Sequence, residues 1–274
     1  MFDNIVALYC ITDDLLKAIG HRDDRRRELT DAEVLTTAFA AMLYFGSNLE
    51  SARTLMRQSG LMPRMLSKSR LCRRLHQVEE LAASLFHQLG WCFKQANPSM
   101  QYLLDSFPVE VCDNIRISRC RLAQGERWRG KCVAKRRYFY GVKVHVITTD
   151  RGLPVEFAFI PGRAAEVRGL DVLALELPAA SELFMDSGYT DYAAEDAASE
   201  ADGLRFSVCR KKNAKRYDEP AEAAYKLLMR KRIETVFSEI TRLFPKRIHA
   251  VTLKGFLMKV SFFIIAFTLD RAFI

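Results

Sequence analysis

Apolar positions along this chain first change their spacing near residue 98. Up to that point they recur every three to four residues, the period of helices with one buried face. Leu29-Thr30-Asp31-Ala32-Glu33 opens such a segment: Thr30 is the N-cap and Glu33 completes a capping box. Gly46-Ser47-Asn48 stops it after Phe45. A second helix is predicted over about 49–59, ending at Gly60. A third, SKSRLCRRLHQVEELAASLFHQLGWCFKQ, starts at Ser67 or Ser69 and ends before Asn97-Pro98. Helix, short turn, helix, then a helix headed by Arg70, Arg73 and Arg74 is the order of a helix-turn-helix DNA binder. It is equally the order of a helical bundle with a basic edge.

Beyond Pro98 the period shortens to two. QYLLD reads as a strand, and YFYGVKVHVITT (138–149) as another. Asp150-Arg151-Gly152 is a turn, and LPVEFAFI returns as the partner strand. AEVRGLDVLALEL is predicted helical, ELFMD (182–186) a strand, DYAAEDAASEA a helix and GLRFSVC a strand. A long helix covers about 222–243, its stripe made by Ile233, Val236, Phe237, Ile240, Leu243 and Phe244. KGFLMKVSFFIIAF reads as a core helix closing the same domain. The pattern predicts an α/β class: an all-α, helix-turn-helix-like domain over 1–98, then a mixed sheet flanked by helices over 99–274. The ten apolar residues of VSFFIIAFTL are half of what a membrane span needs, so no membrane is expected.

Charge and cysteines narrow the picture. The 274 residues carry 42 Lys and Arg against 33 Asp and Glu, a balance compatible with a nucleic-acid partner. Seven cysteines are scattered without a CxxC pair, as in a reduced, cytoplasmic protein without a zinc site, and no signal peptide opens the chain. The bases come in runs. Nine lie between Arg116 and Arg137 against one acid, Glu126, and RKKNAKR (210–216) adds five. Arg230-Lys231-Arg232 precedes Glu234. Trp128, Tyr138, Phe139 and Tyr140 are interleaved, a mixture suited to DNA backbone and unstacked bases.

Three acids invite a chemical reading. Asp105 ends the QYLLD strand, Asp186 ends ELFMD, and Glu234 lies at the edge of the long helix's apolar stripe. Polar groups just beyond strand ends converge on one crevice in such sheets. Three carboxylates there need a cation, and hard oxygens suit Mg2+ or Mn2+, two ions of which can drive an in-line displacement at phosphorus. Each acid also has an ordinary reading, as a turn residue or as an i, i+4 partner of Arg230. Spacing alone does not separate Asp113 and Asp191 from the chosen aspartates. His145, in mid-strand, reads as a structural histidine.

These residues resemble the DDE transposases of bacterial insertion sequences, and among them the nine-eight-two family. The resemblance runs through DNIVALYCITDDLL, SRLCRRLH, DSFPVEVCDNIR, FYGVKVHVITTDRGLPVEF, MDSGYTDY, RKKNAKR, RKRIETVFSEI and LFPKRIHAVTLKGFLMKV. It implies a ribonuclease-H-like catalytic domain in which Asp105, Asp186 and Glu234 hold the ions. It implies cutting at terminal inverted repeats and joining of the 3′ ends to target DNA, by a homo-oligomer on double-stranded DNA. Only 47 residues separate the second and third acids, too few for a large β-rich insertion. DNA contacts are expected at Arg70, Arg73, Arg74, Arg136, Arg137, Arg210, Lys211, Lys212, Arg230, Lys231 and Lys246. The Arg230-x-x-x-Glu234 spacing resembles a partial transposase signature whose basic end is here Thr241, with Lys246 or Arg247 as substitutes. Met185, Ser187 and the pair Ala164-Ala165 also depart from the family's pattern. The rival readings are a catalytically silent DNA-binding protein and a simple nuclease of the same fold.

Overall fold

The computed structural model describes residues 1–132 and 136–274, and all of their side chains except those of Asp113 and Asn114. Two compact units divide the chain: Met1–Gln88 with Glu239–Ile274, and Leu89–Ser238.

The first unit is helical: α1 (Phe2–Ala18), α2 (Asp31–Phe45), α3 (Leu49–Gln58), α4 (Lys68–Gln77), the start of α5 (Glu79–Gln95) and α8 (Leu253–Phe273). The capping box of α2 forms as expected. The Glu33 N–H donates to Thr30 Oγ1 at 3.1 Å, and the Thr30 N–H donates to the Glu33 carboxylate at 2.7 Å. The single helix expected over 67–95 is instead two, divided at Val78, which caps α4 outside helical geometry. A larger difference concerns α8. It was expected to close the sheet domain, yet it groups with the N-terminal helices and packs on α2, with Phe39 and Phe262 edge to face at 5.9 Å. Both helices are buried around most of their circumference, so each needs apolar neighbours on every side.

The second unit is a six-stranded mixed sheet: β1 (Gln101–Asp113), β2 (Arg129–Cys132), β3 (Arg137–Thr149), β4 (Pro154–Pro161), β5 (Glu182–Met185) and β6 (Arg205–Val208). The order is β2-β3-β1-β5-β6, with β4 also pairing with β3. β3 pairs antiparallel with β1, β2 and β4, whereas β1, β5 and β6 run parallel. This is the mixed sheet of a ribonuclease-H-like domain. The β3–β4 turn bends at Gly152, whose φ of +79° suits a residue without a Cβ. The helices α6 (Tyr192–Asp202) and α7 (Pro220–Arg242) follow β5 and β6. From α7, Phe237 meets Phe107 of β1 at 4.8 Å, and Ile233 and Val236 are buried as the stripe predicts.

The helix expected in AEVRGLDVLALEL reduces to a short 3-10 turn, Glu166–Gly169. Its leucines still reach the core, since Leu170, Leu173, Leu175 and Leu177 pack into the cluster around Tyr102 and Ile147. An irregular segment laid over the sheet buries them as well as an amphipathic helix would. A Cβ at Gly169 would lie 2.2 Å from Nδ1 of His145, so only glycine fits that crossing.

Candidate active site

Parallel pairing between β1 and β5 begins at Gln101↔Glu182 and ends at Leu104↔Met185. The next residue on each strand is an acid. Asp105 and Asp186 therefore leave neighbouring strands at the same level, just above the apolar pair Leu104 and Met185. The expectation that Asp105 ends its strand needs correcting, because β1 runs on to Asp113 and Asp105 stands opposite Val146 of β3. What ends there is the partner on the other side: β1 outruns β5, and the gap becomes a cleft. It is lined by Asp105, Asp186, Lys226, Met229, Arg230 and Ile233 above the strand residues.

Asp186 precedes the 3-10 turn Ser187–Tyr189 without its side chain capping it, so its carboxylate stays available. Arg230 takes it up: Nη1 lies 3.0 Å from Asp186 Oδ1, while Nε donates to Glu234 Oε1 at 3.1 Å. Arg230 thus ties the second acid to the third. Glu234 itself remains 53 % exposed. Asp105 accepts the Ser106 backbone N–H at 2.7 Å. Burial pushes its carboxyl up to about 7, that hydrogen bond opposes the rise, and the charges of Asp186 and Glu166 add to it.

The structure brings Asp105, Asp186 and Arg230 to one cleft and joins Glu234 through the arginine. The three carboxylates do not close on one point. Among the described residues, the group of three ligand-type side chains whose atoms lie within 4.8 Å of one another is His21, Asp23 and Asp31, in the helical unit. That group is held by cations already: Asp31 accepts from Arg27 at 2.7 Å and from Arg74, and its own N–H donates to Asp23. In the Asp105–Asp186 cleft the donors are hard, partly buried oxygens, with the Arg230 guanidinium as the cation now paired to Asp186 and Glu234. Such a set fits a divalent cation.

Two residues that the sequence pattern did not mark belong to this neighbourhood. Glu166 contributes repulsion at Asp105, and its Oε2 lies where a Cβ on Gly188 would come within 2.0 Å. A side chain at Gly188 of MDSGY would therefore push the Glu166 carboxylate out of this position. Tyr189, 1 % exposed, hydrogen-bonds through its hydroxyl to Nδ1 of His145 at 2.6 Å. Burial, then the charge of Lys143, pulls His145 down to about 4, so the ring is neutral, as its structural reading requires. The one available signal for Glu166 was its place beside Ala164-Ala165.

The decoy Asp191 is accounted for as the N-cap of α6, accepting from Ala193 and Ala194 at 3.1 and 3.2 Å. The side chain of Asp113 lies outside the described residues. The expected DNA-binding bases divide. Arg74 turns inward to Asp31, and Arg210, 9 % exposed, grips Glu195 with two hydrogen bonds of 2.8 and 2.6 Å. Both are structural ion pairs rather than surface contacts. Arg137 pairs with Glu110 at 2.5 Å, and Arg70 lies 3.8 Å from Glu28. Arg73, Arg136, Lys211, Lys212, Lys231 and Lys246 are exposed. Lys135, one of the nine bases of the 116–137 run, lies outside the described residues.

A family model for the transposase DDE domain matches residues 95–248, more than half of the chain. No curated protein and no solved structure matches it.

Proposed function

The chain belongs to the transposase DDE domain family, and from that premise we propose a DNA transposase that cuts at terminal inverted repeats and joins the 3′ ends to target DNA. Within that proposal we assign it to the nine-eight-two insertion sequences, whose motifs its own resemble. The observation that carries the reading is the pair Asp105 and Asp186 just past the last paired residues of β1 and β5, with Arg230 linking Asp186 to Glu234. Family membership implies divalent metal, and Asp105, Asp186 and Glu234 are the residues that would hold it. Two Mg2+ or Mn2+ ions would supply activation of the attacking oxygen and stabilisation of the leaving one.

The protein's own groups prepare that chemistry. Asp105, kept partly protonated near neutral pH, is a carboxyl whose charge a bound cation would restore. Arg230 pairs with both Asp186 and Glu234, and would be free to meet a phosphate oxygen if a metal held those carboxylates. The Tyr189–His145 hydrogen bond sits beneath and fixes the turn that carries Asp186. The exposed bases hold backbone phosphates. Residues 1–98 recognise the element ends, and pairing of two ends requires a homo-oligomer on DNA.

Purified protein incubated with Mg2+ and labelled element-end DNA tests this. Cleavage and joining are expected from the wild type and neither from Asp105→Asn, Asp186→Asn or Glu234→Gln. No cleavage by the wild type, or equal cleavage by Glu234→Ala, overturns the proposal. Cleavage with no joined product points to the simple nuclease.

A further inference from the structure

Within the helical unit a wider cleft, of about 970 Å³, lies among the α2–α3 turn, the start of α4 and the loop between α7 and α8. The sequence builds its walls locally. Gly46 and Ser47 both take positive φ, +51° and +65°, which turns the chain sharply between α2 and α3. Asn48 then caps α3, accepting from the N–H groups of Glu50 and Ser51 at 3.2 Å each. The helix start, with its partial positive charge, lines the cleft.

The electrostatics are one-sided. Lys68, Lys246, Arg247 and His249 are exposed along the lining, with the half-buried Lys259 behind them. Lys259 donates to the His249 carbonyl at 2.6 Å, fastening the 245–251 loop to α8. The single acid in the lining, Glu50, is bound by Arg53 at 2.5 and 3.0 Å, so its charge is compensated. Phe45, Leu49 and Pro245 provide an apolar wall between the cations. Cations spread over three chain segments around an open cleft do not converge on one small anion. They suit a row of phosphates, with sugar edges against the apolar wall.

We propose that this cleft grips the phosphate backbone of duplex DNA. The proposal rests on the transposase reading and deepens it, giving the helical unit a DNA surface separate from the expected α4 arginines. Arg70 and Arg73 line another concavity of α4, whereas Lys68 and Cys72 face this one. Its contacts are to backbone, so they set position and affinity without reading sequence.

The test is the salt dependence of duplex binding by the full chain, followed by fluorescence anisotropy with labelled DNA of two unrelated sequences. The exposed triple variant K68E/K246E/R247E is compared with a charge-matched control, R22E/R25E/R26E, in the α1–α2 loop. Each lost phosphate contact lowers the slope of log K against log salt by about 0.9, so the triple variant is expected to lose roughly two to three units of slope on both sequences. The control is expected to keep the wild-type slope. A triple variant matching the wild type, or a control that loses as much, overturns the cleft and leaves the transposase reading standing. A wild-type chain without affinity for duplex DNA overturns both. Circular dichroism and the melting temperature of each variant, unchanged for these exposed positions, separate lost contacts from lost folding.

Discussion

Asp31 and Asp105 are both aspartates withdrawn from water, and their surroundings are opposite. Asp31, 2 % exposed, is met by Arg27, Arg74 and His21, so its charge is compensated from several sides. Asp105 receives one backbone N–H and faces two further carboxylates, Asp186 and Glu166, against which the charge of Arg230 is the smaller influence. The first arrangement stabilises a fold; the second raises the energy of the ionised chain, a cost that a bound cation would relieve. On the proposed function, under-compensation marks Asp105 as the acid for chemistry and compensation marks Asp31 as the acid for architecture.

The comparison breaks first on activity. Asp105→Asn is expected to reduce Mg2+-dependent cleavage by on the order of 10³-fold or more while the chain remains folded. Normal cleavage by this variant in a gel assay would make Asp105 architectural too. Asp31→Asn should do the reverse. It leaves two guanidinium groups without their carboxylate and is expected to lower the unfolding free energy by about 3–5 kcal/mol in urea titration. Loss of less than 1 kcal/mol would show that the Asp31 pairs are dispensable.

A pH series sharpens the contrast. The Asp105 carboxyl, near 7 in the folded chain against an ordinary 3.8, keeps a proton that the unfolded chain has released between those values. This group's contribution therefore falls as pH climbs from about 4 to 7 and is lowest above 7. In EDTA, Asp105→Asn should be more stable than the wild type at pH 8 by about 1–3 kcal/mol, with the advantage gone near pH 4. Equal melting temperatures at pH 8 would refute it. The smallest effect is assigned to Glu166→Gln, which removes one facing charge. It should stabilise the metal-free chain at pH 8 by ~0.5 kcal/mol and leave cleavage measurable. A variant as inactive as Asp105→Asn would promote Glu166 to a fourth essential acid.

Much of this was legible along the chain because it is local. The Thr30–Glu33 box, the β3–β4 hairpin and the α7 stripe each depend on residues a few positions apart. The motifs marked Asp105 and Asp186, and strand pairing brings those two to one cleft. What escaped depends on distance in sequence. Arg73 and Arg74 are neighbours of one type, yet Arg74 turns inward because Asp31 stands 43 residues away in the chain. Arg210 is likewise taken up by Glu195 from the preceding helix. The leucines of 170–177 have a spacing that serves a helix or an irregular cover equally well, and only the sheet beneath them decides. Glu166 gains its meaning from Gly188, on another segment altogether.

The shared last rung of β1 and β5 carries a lesson about tolerance to change. Because the two aspartates are aligned by strand pairing rather than by the chain joining them, the connection from β4 to β5 can be lengthened at its exposed Ala179-Ala180 turn without moving either. A single-residue slip of β5 is another matter: it would turn Asp186 to the opposite face and present Met185 in its place. Insertions should therefore be tolerated at that turn and not within the four residues of β5.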